Sequence, residues 1–448
     1  MKSDVVIIGG GLAGLATGAL LAREGMRTVV LERGNQPGGR ACTYSDKGFT
    51  LNYGPHAMFR PGSGFLGDVL RRLDRPSLPY NVPDAMKSYW SLGDRFASLG
   101  AKPHQLLATK LFSVPGRMRI ASMMLALRSE KPDRLGNMTY GEWVDQHTSD
   151  PLVRQFVMAL GVVNSYTRPA SQLSARWLIS HLQRNLFAKD YVGYMSGGWG
   201  AICQAFVDEL RANGGELVTA AHVDRLEIDG DCAVAALAGT RRFEADAFVS
   251  TLPPDDAPAL AQQGSPLAAE LSRWSGMRDV RAVCIDLGFD RRLRTDLTFV
   301  FDTEHDLYYS LHSEVTPDLA PEGQQLLHAM AYLSPDEAAD ETLRAAREHQ
   351  LVDGLDRHFA GWRSAAVVQR TLPAARVSSA RWIPGQMEDA RVPLRSAVAR
   401  NLCFAGEGRD LPYTLAETVL ASAMQASDAI VADRAAGALC VKEAVPTA

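Results

Sequence analysis

The chain has 448 residues, with 47 Lys and Arg against 51 Asp and Glu, and a formal charge of −4 at pH 7. That length buries a sizeable core and allows two or three domains, and the near-balance of charge gives no electrostatic reason to expect a nucleic-acid partner. Six cysteines (Cys42, Cys203, Cys232, Cys284, Cys403 and Cys440) lie scattered without CxxC spacing, which predicts reduced thiols in an intracellular protein; no HExxH or GxSxG is present, so no metal site or serine hydrolase is expected.

The first forty residues carry the strongest pattern. An apolar strand, Asp4 to Ile8, runs into Gly9-Gly10-Gly11-Leu12-Ala13-Gly14. A small-residue helix follows, and a second strand, Thr28 to Leu31, ends on Glu32. This is the dinucleotide fingerprint in its full context of strand, turn, helix and strand. Gly9 allows the tight turn, Gly11 lets the backbone approach a pyrophosphate, and Gly14 lets helix pack closely on strand. The helix start at Leu12 and Ala13 offers free N–H groups and a positive dipole end to phosphates. Glu32 lies 18 positions beyond Gly14, about where a carboxylate binds ribose hydroxyls. A hydropathy scan would read the uncharged run Val5 to Ala22 as a signal peptide or membrane span. Five glycines interrupt it and Asp4 precedes it, so a strand plus a helix explains it. The protein is expected in the cytoplasm, without an integral membrane helix.

Arg33 is followed by Gly38-Gly39-Arg40-Ala41-Cys42-Thr43, then Gly48-Phe49 and Asn52-Tyr53-Gly54-Pro55-His56. This stretch resembles the entry segment of the flavin amine oxidase, phytoene desaturase and protoporphyrinogen oxidase superfamily. The resemblance implies FAD, bound without a covalent link, with Gly38, Gly39 and Arg40 passing under its pyrophosphate toward the flavin ring. Later blocks fit the same family in the same order. Tyr194 to Gly200 precedes a helix (Ile202 to Asn213) and a strand around Ala221 to Val223, where the Val223 backbone would meet the adenine. Ala245 to Pro254 reads as the next strand. Asn401 to Gly408 is a strand ending on Gly406-Glu407. The helix Thr414 to Ile430 then begins, so that Thr414 and Leu415 would lie at the flavin's N1–C2=O edge, where a helix N-terminus favours negative charge.

The fold expected is α/β, with a Rossmann-like FAD domain assembled from 1–84, 190–275 and 385–440. A substrate domain from 85–189 and 276–384 is expected to carry a mixed or antiparallel sheet with helices, and 441–448 a flexible tail. Helices are read at Pro103–Phe112, Met118–Arg128, Thr139–His147, Leu152–Val163 and Ser174–Leu186. Strands are read at Arg281–Phe289, Leu297–Phe301, Leu307–Leu311 and Gln325–Leu333, and a long helix at Asp336–Phe359. The stretch 103–134 mixes Leu, Ile, Met and Phe with Lys and Arg. It suits either a helix pair with a solvated basic edge or helices lying on an anionic membrane.

The chemistry divides by what is missing. In the amine-oxidising branch of the resembled family a lysine from the substrate sheet holds a water near the flavin. Here no lysine occurs between Lys189 and Lys442, a window expected to hold the whole sheet. That points to the desaturase and protoporphyrinogen-oxidase-like branches: an apolar small molecule losing hydride to flavin N5 and a proton to a base, with O2 or a quinone as the final acceptor. Base candidates are His56, Asp410 and Tyr413; Trp382 and Tyr413 are an aromatic pair that would flank a substrate, or packing residues. Amine oxidase, non-redox flavin isomerase and FAD-free escort protein are the rival classes.

Overall fold

In the computed structural model, which describes residues 2–54, 56–100, 105, 108–274, 279–385 and 391–440, the first sheet is organised around strand Ser3–Ile8. Thr28–Leu31 and Arg241–Ser250 flank it, with Glu216–Val218 beyond the former and Leu402–Phe404 beside the latter, all parallel. Successive side chains of a strand point to opposite faces. Val5 and Ile7 therefore pack among Leu15, Phe206 and Leu420 of helices Leu12–Arg23, Gly200–Ala212 and Leu415–Ala435, while Val6 and Ile8 pack with Ala236 and Phe248. Burial on both faces explains the unbroken apolar run. The start of Arg241–Ser250 also pairs antiparallel with Cys232–Ala238, which pairs in turn with Arg225–Asp229.

A second sheet has seven strands, in the order Ala366–Ser378, Val280–Phe289, Gln325–Tyr332, Leu307–Leu311, Phe299–Asp302, Ser88–Leu92 and Arg95–Ser98. Every pairing is antiparallel except that of Phe299–Asp302 with Ser88–Leu92. The period of two again divides its faces. Val283, Ile285, Ala329, Ala331 and Tyr309 pack against Leu351 and Leu355 of helix Glu341–His358. Cys284, Tyr308 and Met330 face the other way, toward the first sheet. Beside this face stand four helices, Val114–Ser129, Tyr140–His147, Pro151–Ser165 and Ala175–Leu186. Ser113, Thr139, Asp150 and Ser174 cap them by accepting from backbone N–H groups of the first turn.

Several elements differ from the sequence reading. Ser88–Leu92 and Arg95–Ser98 lie in a stretch read as helical and irregular, so the lysine-free window does not contain the whole sheet. The two added strands carry no lysine either, and the adjacent Lys87 donates to the Thr295 carbonyl at the surface. Ala366–Ser378, the longest strand of the sheet, was not expected. Pro373 speaks against a strand, but this one is at the sheet edge and its register shifts beside Pro373, between the Ala375 and Leu372 pairings. Ala221–Val223 is not a strand; it is an extended connection tied by Ala221 N–H to the Glu32 carbonyl. The helix read over 336–359 is two, Pro335–Ala339 and Glu341–His358, broken at Asp340, whose side chain caps the second. Of the helix read at 103–112, residues 103, 104, 106 and 107 lie outside the described residues and 109–112 are not helical, the next helix starting only at Val114; the tail 441–448 also lies outside them. The reading of six reduced cysteines is also corrected: Cys232 and Cys440 form a disulfide, while Cys42, Cys203, Cys284 and Cys403 are free. Those partners are 208 residues apart, so no local spacing could show them.

Candidate active site

A cavity of about 1000 Å³ is walled by the carboxyl ends of the first sheet on one side and the open face of the second on the other. At one end its wall is main chain. Gly9, at φ +106°, turns the chain out of the first strand, and its carbonyl accepts from Thr251 Oγ1 at 3.1 Å. A β-carbon on Gly14 would overlap that same Gly9 carbonyl, so the helix reaches the strand only because residue 14 is glycine. Gly11 is different. Its backbone is extended (φ −73°, ψ −177°), and a β-carbon there would meet no protein atom within 4 Å. Packing does not require glycine at this position; the cavity in front of it does.

Around this turn, Glu32 Oε2 accepts from Gly10 N–H at 2.9 Å and Oε1 from Gly34 N–H at 2.7 Å. Gly38 N–H donates to the Gly10 carbonyl at 2.7 Å, and Gly38 and Gly39 both take positive φ. The second glycine pair thus lies on the first. Arg40 next to it donates to the Val377 carbonyl at 3.0 Å and to Glu407 Oε2 at 2.7 Å. Glu407 Oε2 also accepts from Ser379 N–H, whereas Oε1 is buried with no partner among the described residues. Leu415 opens the last helix at φ +49°, a left-handed backbone that costs a leucine roughly 1–2 kcal/mol. Among the described residues no side chain caps this helix or helix Leu12–Arg23, and both begin in the cavity wall.

At the far end side chains take over: Tyr166, Cys284, Tyr308, His328, Met330 and His56. His328 Nδ1 lies 2.6 Å from Asp286 Oδ1, and the His56 ring stacks on His328 with centroids 3.5 Å apart. Arg370 donates to Asp286 Oδ2 and to the Asn52 carbonyl. Burial, reinforced by neighbouring His328, pushes His56 down to about 3. Burial alone would raise Asp286, but His328 and then His56 hold its carboxyl well below the usual range. Ligand-type atoms of His56, Asp286 and His328 lie within 4.8 Å of one another. Asp286 is already neutralised by Arg370, which works against a cation there.

The sequence pattern of flavin containing amine oxidoreductases matches residues 12–431. The chain belongs to that family. It is 23% identical over 412 residues to 15-cis-phytoene desaturase of Synechococcus elongatus, covering 86% of each chain. To phytoene desaturase (lycopene-forming) of Pseudescherichia vulneris it is 28% identical over 284 residues, 56% of this chain and 55% of that one. An oxidoreductase from Methanosarcina mazei shares the fold, with a TM-score of 0.79 at 20% identity over 95% of this chain and all of that one. As a member of this family the protein is a flavin-dependent oxidoreductase.

The cavity fits a flavin dinucleotide. Its volume is at the upper end of the roughly 300–1000 Å³ of small-molecule sites, room for a cofactor and a substrate together. Two uncapped helix starts, the empty space before Gly11 and the unpartnered Glu407 oxygen are the features a pyrophosphate and a polyol chain would satisfy. Of the residues expected to hold the cofactor, Gly9, Gly11, Leu12, Ala13, Glu32, Arg33, Gly38, Gly39, Arg40, Gly54, His56, Val223, Gly406, Glu407 and Leu415 line the cavity. Gly14 acts behind the wall, Thr414 is buried without lining it, and Pro55 lies outside the described residues.

Two base candidates are corrected. Asp410 is 61% exposed and pairs with Arg391. Tyr413 lies under the Arg184 guanidinium, 4.2 Å from its ring centre, and against Phe65. Neither lines the cavity, because the chain after Gly408 turns away to bond Val392. The Trp382–Tyr413 pair fails as a substrate cage for the same reason: Trp382 is buried against Trp177. The sequence reading missed Thr251, Ser379, Tyr166, Cys284, Tyr308, His328 and Asp286. Of these, the alternation of strands Val280–Phe289 and Gln325–Tyr332 hinted only at Cys284, Asp286 and His328.

Proposed function

We propose that the protein is an FAD-dependent dehydrogenase that desaturates a largely apolar small molecule, as phytoene desaturases or protoporphyrinogen oxidases do. The observation that carries this reading is the make-up of the far end of the cavity. Tyr166, Cys284, Tyr308 and Met330 offer aromatic, thiol and thioether surface, His56 beside them is held neutral by burial, and the second sheet carries no lysine. Such a wall binds an apolar skeleton and gives an ammonium group no anion to meet.

In this reading 1–84, 190–275 and 385–440 form the FAD-binding unit and 85–189 and 276–384 the substrate unit. Bound FAD accepts the hydride, which is the hard step of the chemistry. The chain's own residues orient and shield. The glycine turns at Gly9, Gly11, Gly38 and Gly39 with Arg40 and Glu407 hold the cofactor, Glu32 and Val223 its adenosine half, and the start of helix Leu415–Ala435 favours the negative charge of the reduced ring. The FAD is held without a covalent bond, and O2 or a quinone takes its electrons.

The membrane contact considered for 103–134 belongs to the same reading. Helix Val114–Ser129 buries Ile120, Met123 and Leu127 but leaves Val114, Met118 and Leu125 more than 60% exposed, beside Arg128. Among the described residues no helix is long and apolar enough to cross a membrane. A cytoplasmic protein touching a bilayer surface is what we propose; flotation with anionic liposomes tests the contact. A non-reducing gel of protein trapped in cells tests the compartment: free Cys232 and Cys440 thiols support the cytoplasm, and an intact Cys232–Cys440 bond, rare in reducing compartments, overturns it.

The deciding experiment is anaerobic reduction of the purified yellow protein by phytoene in vesicles, protoporphyrinogen IX and a panel of amines. Bleaching by one of the first two supports the reading. Bleaching by amines alone, with peroxide release in air, makes it an amine oxidase; turnover only after dithionite makes it an isomerase. Acid precipitation that releases FAD into the supernatant tests the non-covalent link.

A further inference from the structure

Four strands of the second sheet set a polar row across the face that borders the cavity. Ser310, His328, Asp286 and Arg370 are successive cross-strand neighbours, from Leu307–Leu311 to Ala366–Ser378. Polar groups buried in such a wall are costly unless each is satisfied. Asp286 accepts from Arg370 Nε at 2.7 Å and lies 2.6 Å from His328 Nδ1. An ionised carboxylate only accepts, so Nδ1 carries the hydrogen and Nε2 is left with the lone pair. That Nε2 is buried and has no hydrogen-bond partner among the described residues. No structural role uses it.

His56 stacks on this ring, but its Nε2 is 3.6 Å from the same carboxylate oxygen, beyond hydrogen-bond length. Two rings so close can take up one extra proton between them, because a second imidazolium would meet a like charge. The shorter carboxylate contact gives that proton to His328. We propose that His328, with Asp286 as its positioning residue and Arg370 behind it, accepts the proton that leaves the substrate.

The proposal rests on the desaturase reading and assigns the half of that reaction it left open. One C–H bond of the substrate breaks and its hydrogen leaves with the electron pair to the flavin. The adjacent C–H bond breaks too; its electron pair becomes the second bond of the new C=C, and its proton goes to His328 Nε2. The substrate is oxidised by two electrons and the flavin reduced by two. The groups facing His328 are Asp286, Cys284, Arg370, Tyr308, His56 and His312. At neutral pH only Asp286 and Arg370 are charged, since burial holds His56 and His312 neutral and raises Cys284 and Tyr308. A carboxylate that fixes one imidazole nitrogen and stabilises the imidazolium is a general device for taking up a proton.

The test reads the tautomers of nitrogen-labelled histidines by NMR in the flavin-loaded protein at neutral pH. Alongside it, anaerobic reduction by phytoene vesicles and protoporphyrinogen IX is measured. We expect one imidazole of the cluster with its hydrogen fixed on Nδ1, a signal lost in His328→Asn and kept in His56→Gln. Asp286→Asn should release that ring into a mixture of tautomers. His328→Asn should keep its flavin and its reduction by dithionite, yet slow reduction by the reactive probe roughly 100-fold. This variant leaves the Asp286–Arg370 pair intact and decides alone should Asp286→Asn fail to load flavin. A resonance lost in His56→Gln and kept in His328→Asn, or His328→Asn reduced as fast as wild type, overturns the proposal alone. Wild-type flavin that neither probe reduces overturns the desaturase reading and the proposal with it.

Discussion

At its glycine-rich end the cavity is walled by main chain, and at its far end by side chains from three strands, a loop and the end of a helix. Gly9, Gly11, Gly38 and Gly39 matter for the atoms they lack. His56, His328, Asp286 and Arg370 matter for the atoms they bring together across the sheet. The two ends therefore tolerate change differently. A backbone cradle fails by steric intrusion, and its failure is seen in folding or flavin content. A side-chain cluster fails by loss of a charge or a lone pair, and its failure is seen in rate while the flavin stays bound.

The largest expected effect breaks the first end outright. Gly14→Ala places a methyl on the Gly9 carbonyl, with no flexible neighbour to yield, and should destabilise the fold by about 3 kcal/mol or more. Little flavin-loaded protein should survive purification; a normal melting temperature and normal flavin content would show that the helix can shift off the strand. Next, His56→Gln acts at the other end. Because His56 packs on the His328 ring and does not itself take the proton, turnover should fall by less than the roughly 100-fold expected of His328→Asn, with flavin absorbance intact. A loss as large as that of His328→Asn would return the base to His56.

Gly11→Ala separates the cradle from the fold. Its methyl enters open cavity, so the apoprotein's melting temperature should not move, while flavin affinity drops by about 1–2 kcal/mol, roughly tenfold or more in Kd. Titration of apoprotein with FAD reads this directly. Equal loss of stability and affinity would mean that the space before Gly11 is not cofactor space.

The smallest effect sharpens the contrast between histidines that hold structure and those that face chemistry. His181 is buried and bonded at both nitrogens, to Asn164 and Asn185, whereas His56 and His328, which line the cavity, each leave Nε2 without a partner among the described residues. Burial pushes His181 down to about 3, below the ordinary 6.5 of the unfolded chain. The unfolded state therefore takes up its proton first. Stability from this group is full above about pH 6.5 and is lost toward pH 3, at about 1.4 kcal/mol per pH unit. His181→Gln should flatten that acid slope by one proton in urea titrations and leave turnover unchanged. An unaltered slope would mean that His181 is already charged in the fold.

How far each end could be read from the chain follows from the same contrast. Gly9 to Glu32 is one contiguous unit, and its spacing alone predicted the strand, turn, helix and strand that form. Glu407 was found because it ends a short strand before a helix. His56 was found through its place after Gly54-Pro55, but its partners were not. Asp286 and His328 are 42 positions apart and meet only through antiparallel register; a slip of one residue would turn them to opposite faces. Asp410 and Tyr413 were misjudged because nearness in sequence to Glu407 does not survive the turn at Gly408. Strand Ala366–Ser378 hid behind Pro373, which an edge strand tolerates at a bulge.

The sequence by itself determined the parallel first sheet, the glycine turns that leave room for a dinucleotide and the absence of lysine between Lys189 and Lys442, because each depends on local conformation or on composition. Only the tertiary structure decided which strands pair, that Cys232 meets Cys440, and that His56, His328, Asp286 and Arg370 share one buried charge system. Those are outcomes of packing between segments far apart in the chain, where many arrangements satisfy the local preferences and burial of the whole selects one.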